Sequence, residues 1–187
     1  MARSNENIVM AGASGKLGTI VFRQKAGKTV ISRSPKPRTL APTAAQLQIQ
    51  GKFKLAAAYA KTVMLDPVRK DAYKAMAKPG QSAFNVAFSD YFKAPTISAI
   101  DTASYTGLVG DLIKIKSTDG FKVVAVKVKI EHADGSLIET GNAVLATDGS
   151  GWKYTATQAN AVLAGTKVIV TASDTPGNET VQTKTLV

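Results

Sequence analysis

The chain has no cysteine and a single histidine, His132. That excludes disulfides, thiolate nucleophiles and thiolate metal sites, so rigidity has to come from packing or from other chains. Aromatic residues are sparse, 6% of 187 with one tryptophan, and long apolar runs are missing. The longest, around Leu55–Ala60 and Val123–Val126, fall far below the roughly 18–20 residues that span a bilayer, which predicts no membrane span. Ile8-Val9-Met10 is too short for the apolar core of a signal peptide, which predicts no export by the general secretory route. Acidic residues are scarce in one half only. Residues 1–95 carry 16 Lys and Arg against 4 Asp and Glu, whereas residues 96–187 carry 8 against 9.

That charge step coincides with a change of pattern at Pro95, from basic, Ala-rich and helical to neutral and rich in Val, Thr and Gly. Two modules with different tasks follow, a basic hairpin-arm-helical assembly module over 1–95 and a β module over 96–187. With 44% hydrophobic and 20% charged residues, the composition is that of a folded protein.

In the first module, Gly18–Arg23 and Thr29–Arg33 are rich in β-branched residues and flank a turn at Gln24–Lys28 in which Gly27 can take positive φ. This predicts a β-hairpin. Isolated hairpins are marginal in water, so this one should pair with a further strand or a neighbouring chain. Ser34–Pro42 holds three prolines, which block helix and central strand alike and leave an extended, cationic arm. Hairpin and arm together supply the candidate assembly residues Ile20, Phe22, Val30, Ile31, Arg33, Pro35, Pro37 and Arg38.

Three helices are expected next. Thr43 caps the first, which runs to about Met64 with Leu47, Gly51, Leu55, Ala58 and Thr62 near helical spacing. Gly51 among so many alanines suggests the close approach of another backbone. Asp66-Pro67 starts the second helix and Lys78-Pro79-Gly80 stops it. In the third, Phe84, Ala87, Phe88, Tyr91 and Phe92 form an apolar stripe that should be buried, before Ala94-Pro95 ends it. The candidate helical packing set is Leu47, Phe53, Leu55, Phe84, Phe88, Tyr91 and Phe92.

Beyond Pro95 the period becomes two. Ile113 and Ile115 alternate with Lys114 and Lys116, and Val124, Val126, Val128 and Ile130 alternate with Ala125, Lys127, Lys129 and Glu131. Turn signals at Asp119-Gly120, Asp134-Gly135, Asp148-Gly149, Ala164-Gly165 and Pro176-Gly177-Asn178 recur at roughly the spacing of a β-sandwich, about seven strands in all. The run Leu163–Asn178 resembles the penultimate strand and following turn of bacterial immunoglobulin-like and fibronectin-type-III-like modules. The expected fold is α+β: a hairpin, an extended arm and a three-helix segment, followed by an all-β immunoglobulin-like sandwich.

Chemistry is thin. Ile8–Gly18 looks like the opening of a dinucleotide-binding βαβ unit, but only about ten residues separate Gly18 from the next strand-like run at Thr29, too few for a crossover helix. A glycine-rich turn feeding the hairpin fits better. His132 reads as a solvated strand-end residue, Trp152 and Tyr154 as core or rim, and Asp119, Asp134, Asp148 and Asp174 as turn residues. No catalytic, cofactor or metal set emerges, and the chain is expected to be no enzyme. Lys70, Lys74 and Lys78 are candidate phosphate contacts for weak, nonspecific nucleic-acid binding.

The order Gly15-Lys16-Leu17-Gly18-Thr19-Ile20-Val21, Gly27-Lys28, Arg33-Ser34-Pro35, Pro42-Thr43-Ala44-Ala45-Gln46 and Lys52-Phe53-Lys54-Leu55-Ala56 resembles the N-terminal half of an uncharacterised family of small Bacteroidota proteins. Its Gly-Lys hairpin, Pro-Arg arm and Thr-x-x-Gln helix start are also similar to those of small phage structural proteins. One departure is Gln50-Gly51, where relatives carry Gln-Arg. The resemblance implies no enzyme activity. It implies a structural subunit of a multimeric particle, a phage virion or phage-derived structure, partnered by itself and other structural proteins and located in a virion or assembled in the cytoplasm. The alternatives are a cell-envelope or extracellular filament subunit reaching the surface by a non-classical route, or a nucleic-acid-binding protein using the basic half.

Overall fold

A computed structural model describes residues 2–4 (backbone only), 10, 12–25, 27–37 and 39–187. The fold is mixed α+β, with three helices and three four-stranded sheets among these residues. The chain divides into two compact units, Met1–Gly51 and Lys52–Val187.

In the first unit the hairpin is β3 (Ile20–Lys25) with β4 (Lys28–Arg33), closed so that Lys25 faces Lys28 across a two-residue loop. Gly27 there has φ 75°, a conformation with little cost only for glycine. The hairpin is not left unpaired, as the sequence suggested. β2 (Gly15–Leu17) pairs with β3 on one side and β1 (Ala2–Ser4) pairs with β4 on the other, giving the order β1-β4-β3-β2. Gly15–Leu17 of the glycine-rich segment is therefore an antiparallel strand of this sheet, and a strand rather than a helix follows it, while Ile8, Val9 and Ala11 lie outside the described residues. Pro35 and Pro37 are exposed, and Arg38 lies outside the described residues.

Helix α1 (Ala44–Leu65) starts as expected. Gln46 N donates to Thr43 Oγ1 at 3.3 Å while Thr43 N donates to Gln46 Oε1 at 3.2 Å, a reciprocal cap. Helix α2 (Pro67–Ala75) is capped by Asp66, whose carboxylate accepts from the backbone N–H groups of Val68 and Arg69. Helix α3 (Ala83–Asp90) is capped by Ser82.

Eight strands follow: β5 (Thr96–Asp101), β6 (Leu112–Thr118), β7 (Val123–Glu131), β8 (Leu137–Asn142), β9 (Val144–Leu145), β10 (Trp152–Thr155), β11 (Lys167–Asp174) and β12 (Glu179–Thr185). They form two sheets, β5-β6-β10-β9 and β12-β11-β7-β8. Both sheets contribute to one core: Ile113, Ile115 and Tyr154 from the first, Val126, Val128, Ile130, Val168 and Val170 from the second. The expected alternation holds except at Val124, which is exposed. An irregularity in the β7–β11 register at Ser173/Asp174 shifts the pleat there and turns Val124 outward.

The unit boundary does not fall at Pro95, where composition changes. Helices α2, α3 and the C-terminal part of α1 form one cluster with Phe121 of the β6–β7 connection, and the segment after α3 is tied to the last strands. The Tyr73 ring stacks on Phe121 with centroids 3.9 Å apart, Asn178 Nδ2 donates to Lys93 O, and Thr180 Oγ1 donates to Pro95 O at 2.6 Å. Composition marks secondary-structure type, whereas burial decides which pieces fold together. A fragment 52–187 should therefore melt cooperatively at a higher temperature than a fragment 96–187, which loses the Tyr73–Phe121 stack. Equal melting temperatures by calorimetry would place the boundary at Pro95 after all.

Candidate functional site

The chemistry-bearing cluster with the deepest burial lies where the helices of the second unit meet its strands. Ala83, Ala87 and Asp90 occupy one face of α3 at i, i+4 and i+7, and all three are buried. Opposite them is Tyr73 of α2, fully buried. Tyr73 Oη donates to Asp90 Oδ2 at 2.8 Å, which leaves the Tyr59 hydroxyl of α1, 2.8 Å from Tyr73 Oη, to donate in turn. Burial pushes the Asp90 carboxyl up to about 6, helped by the charges of Asp119 and Asp174 and opposed by the Tyr73 hydrogen bond and Lys93. Burial likewise raises Tyr73 and Tyr59 above the ordinary phenol range. A cleft of ≈ 290 Å³ lined by Met76, Gln81, Asn85, Lys93 and Gly120 reaches Asp90.

This chain of two phenols and a carboxyl can hold and pass a proton, and the hydrogen-bond partners of its three polar groups are one another. It locks α1, α2 and α3 together. Among the described residues no group of three or more His, Cys, Asp or Glu is placed to hold a metal ion. Asp134 and Asp148 accept hydrogen bonds from Ser136 and Ser150 two residues on, and Asp174 accepts from Gly177 and Asn178, so these aspartates serve their turns. His132 closes the β7–β8 turn through its backbone, and Trp152 and Tyr154 are buried in the β core rather than offered to a ligand.

The exposed apolar surface is the second candidate, and it gathers most of the residues singled out in the sequence. From Ala44 through Leu55 every residue of α1 is exposed; its buried residues, Ala56, Ala60 and Val63, all lie further on. Leu47, Gly51, Leu55, Ala58 and Thr62 fall on one face of this helix, with Leu47 55% and Leu55 58% exposed. A Cβ placed on Gly51 meets nothing within 4 Å, so the expected close backbone approach is not seen among the described residues.

The aromatic stripe of α3 also differs from expectation. Phe84, Phe88 and Tyr91 are half-buried and Phe92 is 43% exposed, because the buried face is the adjacent one that carries Asp90. Phe53 of α1, itself half exposed, meets Phe88 and Phe92 with centroids 5.4 and 5.2 Å away. Phe53 and Phe92 lie at the surface, whereas Phe84 and Phe88 pack against the buried cluster that includes Ala87, which is the fully buried member of the expected stripe.

In the first unit, Ile20, Phe22 and Ile31 share a sheet face with Leu17, since the register pairs Leu17 with Ile20 and Phe22 with Ile31. Leu17 is 72% exposed and Ile20 is exposed too, while Val30 lies on the opposite face and is buried. Arg33 is exposed at the end of β4. Lys70 and Lys74 share a face of α2, whereas Lys78 lies past the end of that helix.

The sequence reading missed Asp90, Tyr73 and Tyr59. An aspartate in phase with Ala83 and Ala87, two tyrosines and no lysine in phase to neutralise it, was the available signal.

No family model, curated protein or solved structure matches the chain. No helix is long and apolar enough to cross a membrane.

Because Asp90 binds a proton more tightly folded than unfolded, the native state holds more protons between the unfolded value near 4 and the folded value near 6. Stability should therefore fall as pH rises through that window, by about 1–3 kcal/mol, and stay lower above it. Asp90→Asn keeps an acceptor for Tyr73 and should flatten this part of the profile. Urea melts between pH 4 and 7 check this, and a variant whose decline matches the wild type would assign it to other groups.

Proposed function

We infer that the chain is a non-enzymatic structural subunit that assembles with copies of itself and carries a β module on the assembly. The single observation that carries this is the distribution of buried apolar residues. Among the described residues, every buried hydrophobic side chain but one belongs to 52–187; in 1–51 only Val30 is buried, while Leu17, Ile20, Leu40, Leu47 and Ile49 are exposed. A unit with so little core does not hold a four-stranded sheet and the free start of a helix in water by itself. A neighbouring protomer supplies the cover.

Helix α1 offers the contact. An interior glycine costs roughly 1 kcal/mol relative to alanine, and nothing among the described residues uses the space Gly51 leaves open. A second α1 approaching closely along Leu47, Gly51 and Leu55 uses it. This face carries no charge, with the lysines of the helix at its borders.

The β module is best read as immunoglobulin-like. Naming β5–β12 as A, B, C, C′, D, E, F and G turns the two strand orders into A-B-E-D and G-F-C-C′, the arrangement of that sandwich class. Its ligand or partner is not implied by its fold. The resemblance of the Gly-Lys hairpin, the Pro-Arg arm and the Thr-x-x-Gln helix start to those of small phage structural proteins suggests the setting, a phage virion or phage-derived particle. This assembly would form in the cytoplasm or in the virion.

Gly51→Leu separates assembly from folding. In the protomer it enters open space and improves helix propensity, so thermal stability should rise slightly, by about 0.5–1 kcal/mol. Between protomers it blocks close approach, so the oligomer seen by light scattering should disappear. An oligomer that persists unchanged in this variant would remove α1 as the contact.

A further inference from the structure

The strand register of the N-terminal sheet sorts its residues onto two unlike faces. Leu17, Ile20, Phe22 and Ile31 lie on one. On the other, Val21, Arg23 and Lys25 follow one another at two-residue steps along β3; Lys16 of β2 stands opposite Val21, and Lys28 of β4 stands opposite Lys25. Lys16, Arg23, Lys25 and Lys28 are all exposed.

Among the described residues none of the four is in an ion pair. The only acidic residue in 1–51 is Glu6, outside the described residues, against eight Lys and Arg. Lys25 and Lys28 are direct cross-strand partners, an arrangement that like charge destabilises. Four cations gathered on one sheet face at the expense of the sheet's own stability call for an anionic counterpart.

The kind of anion follows from what the face lacks. Its apolar residues are not available, since Val21 is half-buried and Val30 buried. A protein partner would find no apolar centre to bury, and a membrane would find no exposed aliphatic or aromatic group to take into its headgroup layer. An extended polyanion needs neither. Steps of about 6.6–6.8 Å along β3 let one such strand meet several of the cations at once.

We propose that the face carrying Lys16, Arg23, Lys25 and Lys28 binds the phosphodiester backbone of nucleic acid, without reading its sequence. This site differs from the one on α2. There Lys70 and Lys74 share a short helix with Asp71 and follow the Asp66–Arg69 ion pair, and Lys78 stands apart in the loop. The proposal does not rest on self-assembly through α1, because the cationic face belongs to a different element of the chain.

The test is fluorescence anisotropy with a labelled 24-base-pair DNA duplex and a labelled 24-nucleotide RNA of mixed sequence, titrated between 50 and 300 mM salt. Four phosphate contacts predict a slope of log K against log salt of about −3 to −4 for the duplex and about −3 for the single strand. The combined variant Lys16→Gln, Arg23→Gln, Lys25→Gln, Lys28→Gln should bring the slope close to zero and weaken binding at least tenfold at 100 mM salt. The combined variant Lys70→Gln, Lys74→Gln, Lys78→Gln should leave both unchanged. Should the fourfold variant melt early by circular dichroism, Arg23→Gln with Lys25→Gln is the substitute, expected to flatten the slope by about two. Light scattering on the same samples reports assembly separately. The proposal is overturned if the sheet variants bind like the wild type, if the α2 variant loses binding instead, or if the wild type binds phosphatidylglycerol vesicles and neither nucleic acid.

Discussion

Apolar surface that finds no cover inside the chain is the constraint on which the rest of this structure turns. The second unit satisfies it internally. Its two sheets close over Ile113, Ile115, Val126, Val128, Ile130, Val168 and Val170, and its helices close over Ala60, Val63 and Tyr73. Burial of this extent supplies the driving force for folding at roughly 25 cal/mol per Å². The first unit has hydrogen-bonded strands and a well-capped helix start but almost nothing buried beneath them. Regular backbone pairing without a core gives little net stability, and this is the ground for the proposal that 1–51 is completed by a neighbouring copy.

A charged side chain taken deep into the second unit tightens this contrast. Asp90 could have been an apolar residue at the same position of α3, yet it stands under Tyr73 and at the end of a hydrogen-bond relay from Tyr59. Two phenols from two other helices converge on one carboxyl, and such directional bonds fix helix register in a way that apolar packing alone does not. Stacking of Tyr73 on Phe121 carries that register to the strands. Helices and sheets of the second unit are thereby tied into one packed body.

Much of this is legible in the sequence. Thr43 and Asp66 mark helix starts by their hydrogen-bonding chemistry, and Asp134-Gly135 and Gly27 mark turns by their conformational freedom, because both signals are local. The alternation around Ile113 and Val128 reads the core faces directly. Non-local facts are the ones that escape. Which face of α3 is inside depends on Tyr73, seventeen residues away, and so the Phe84–Phe88–Phe92 stripe looked like core when the buried side was Ala83–Ala87–Asp90. The unit boundary at Gly51 escapes for the same reason, since composition changes at Pro95 while the packing of Phe121 under Tyr73 ties both sides of that seam together. Strand register, too, depends on pairing partners, and only with it do Lys16, Arg23, Lys25 and Lys28 become one surface.

The central claim is that the N-terminal unit is completed by neighbouring copies, and hydrogen exchange of its backbone amides tests it most directly. Exchange followed over 44–55 and 20–33, in samples diluted until light scattering shows protomers and in samples concentrated until it shows the oligomer, compares the same amides with and without cover. The account predicts rapid exchange of both segments in the protomer and protection of at least a hundredfold in the oligomer, with Val126–Ile130 protected throughout. Strong protection of 44–55 and 20–33 in the dilute protomer would show that the unit is stable by itself and would contradict the account.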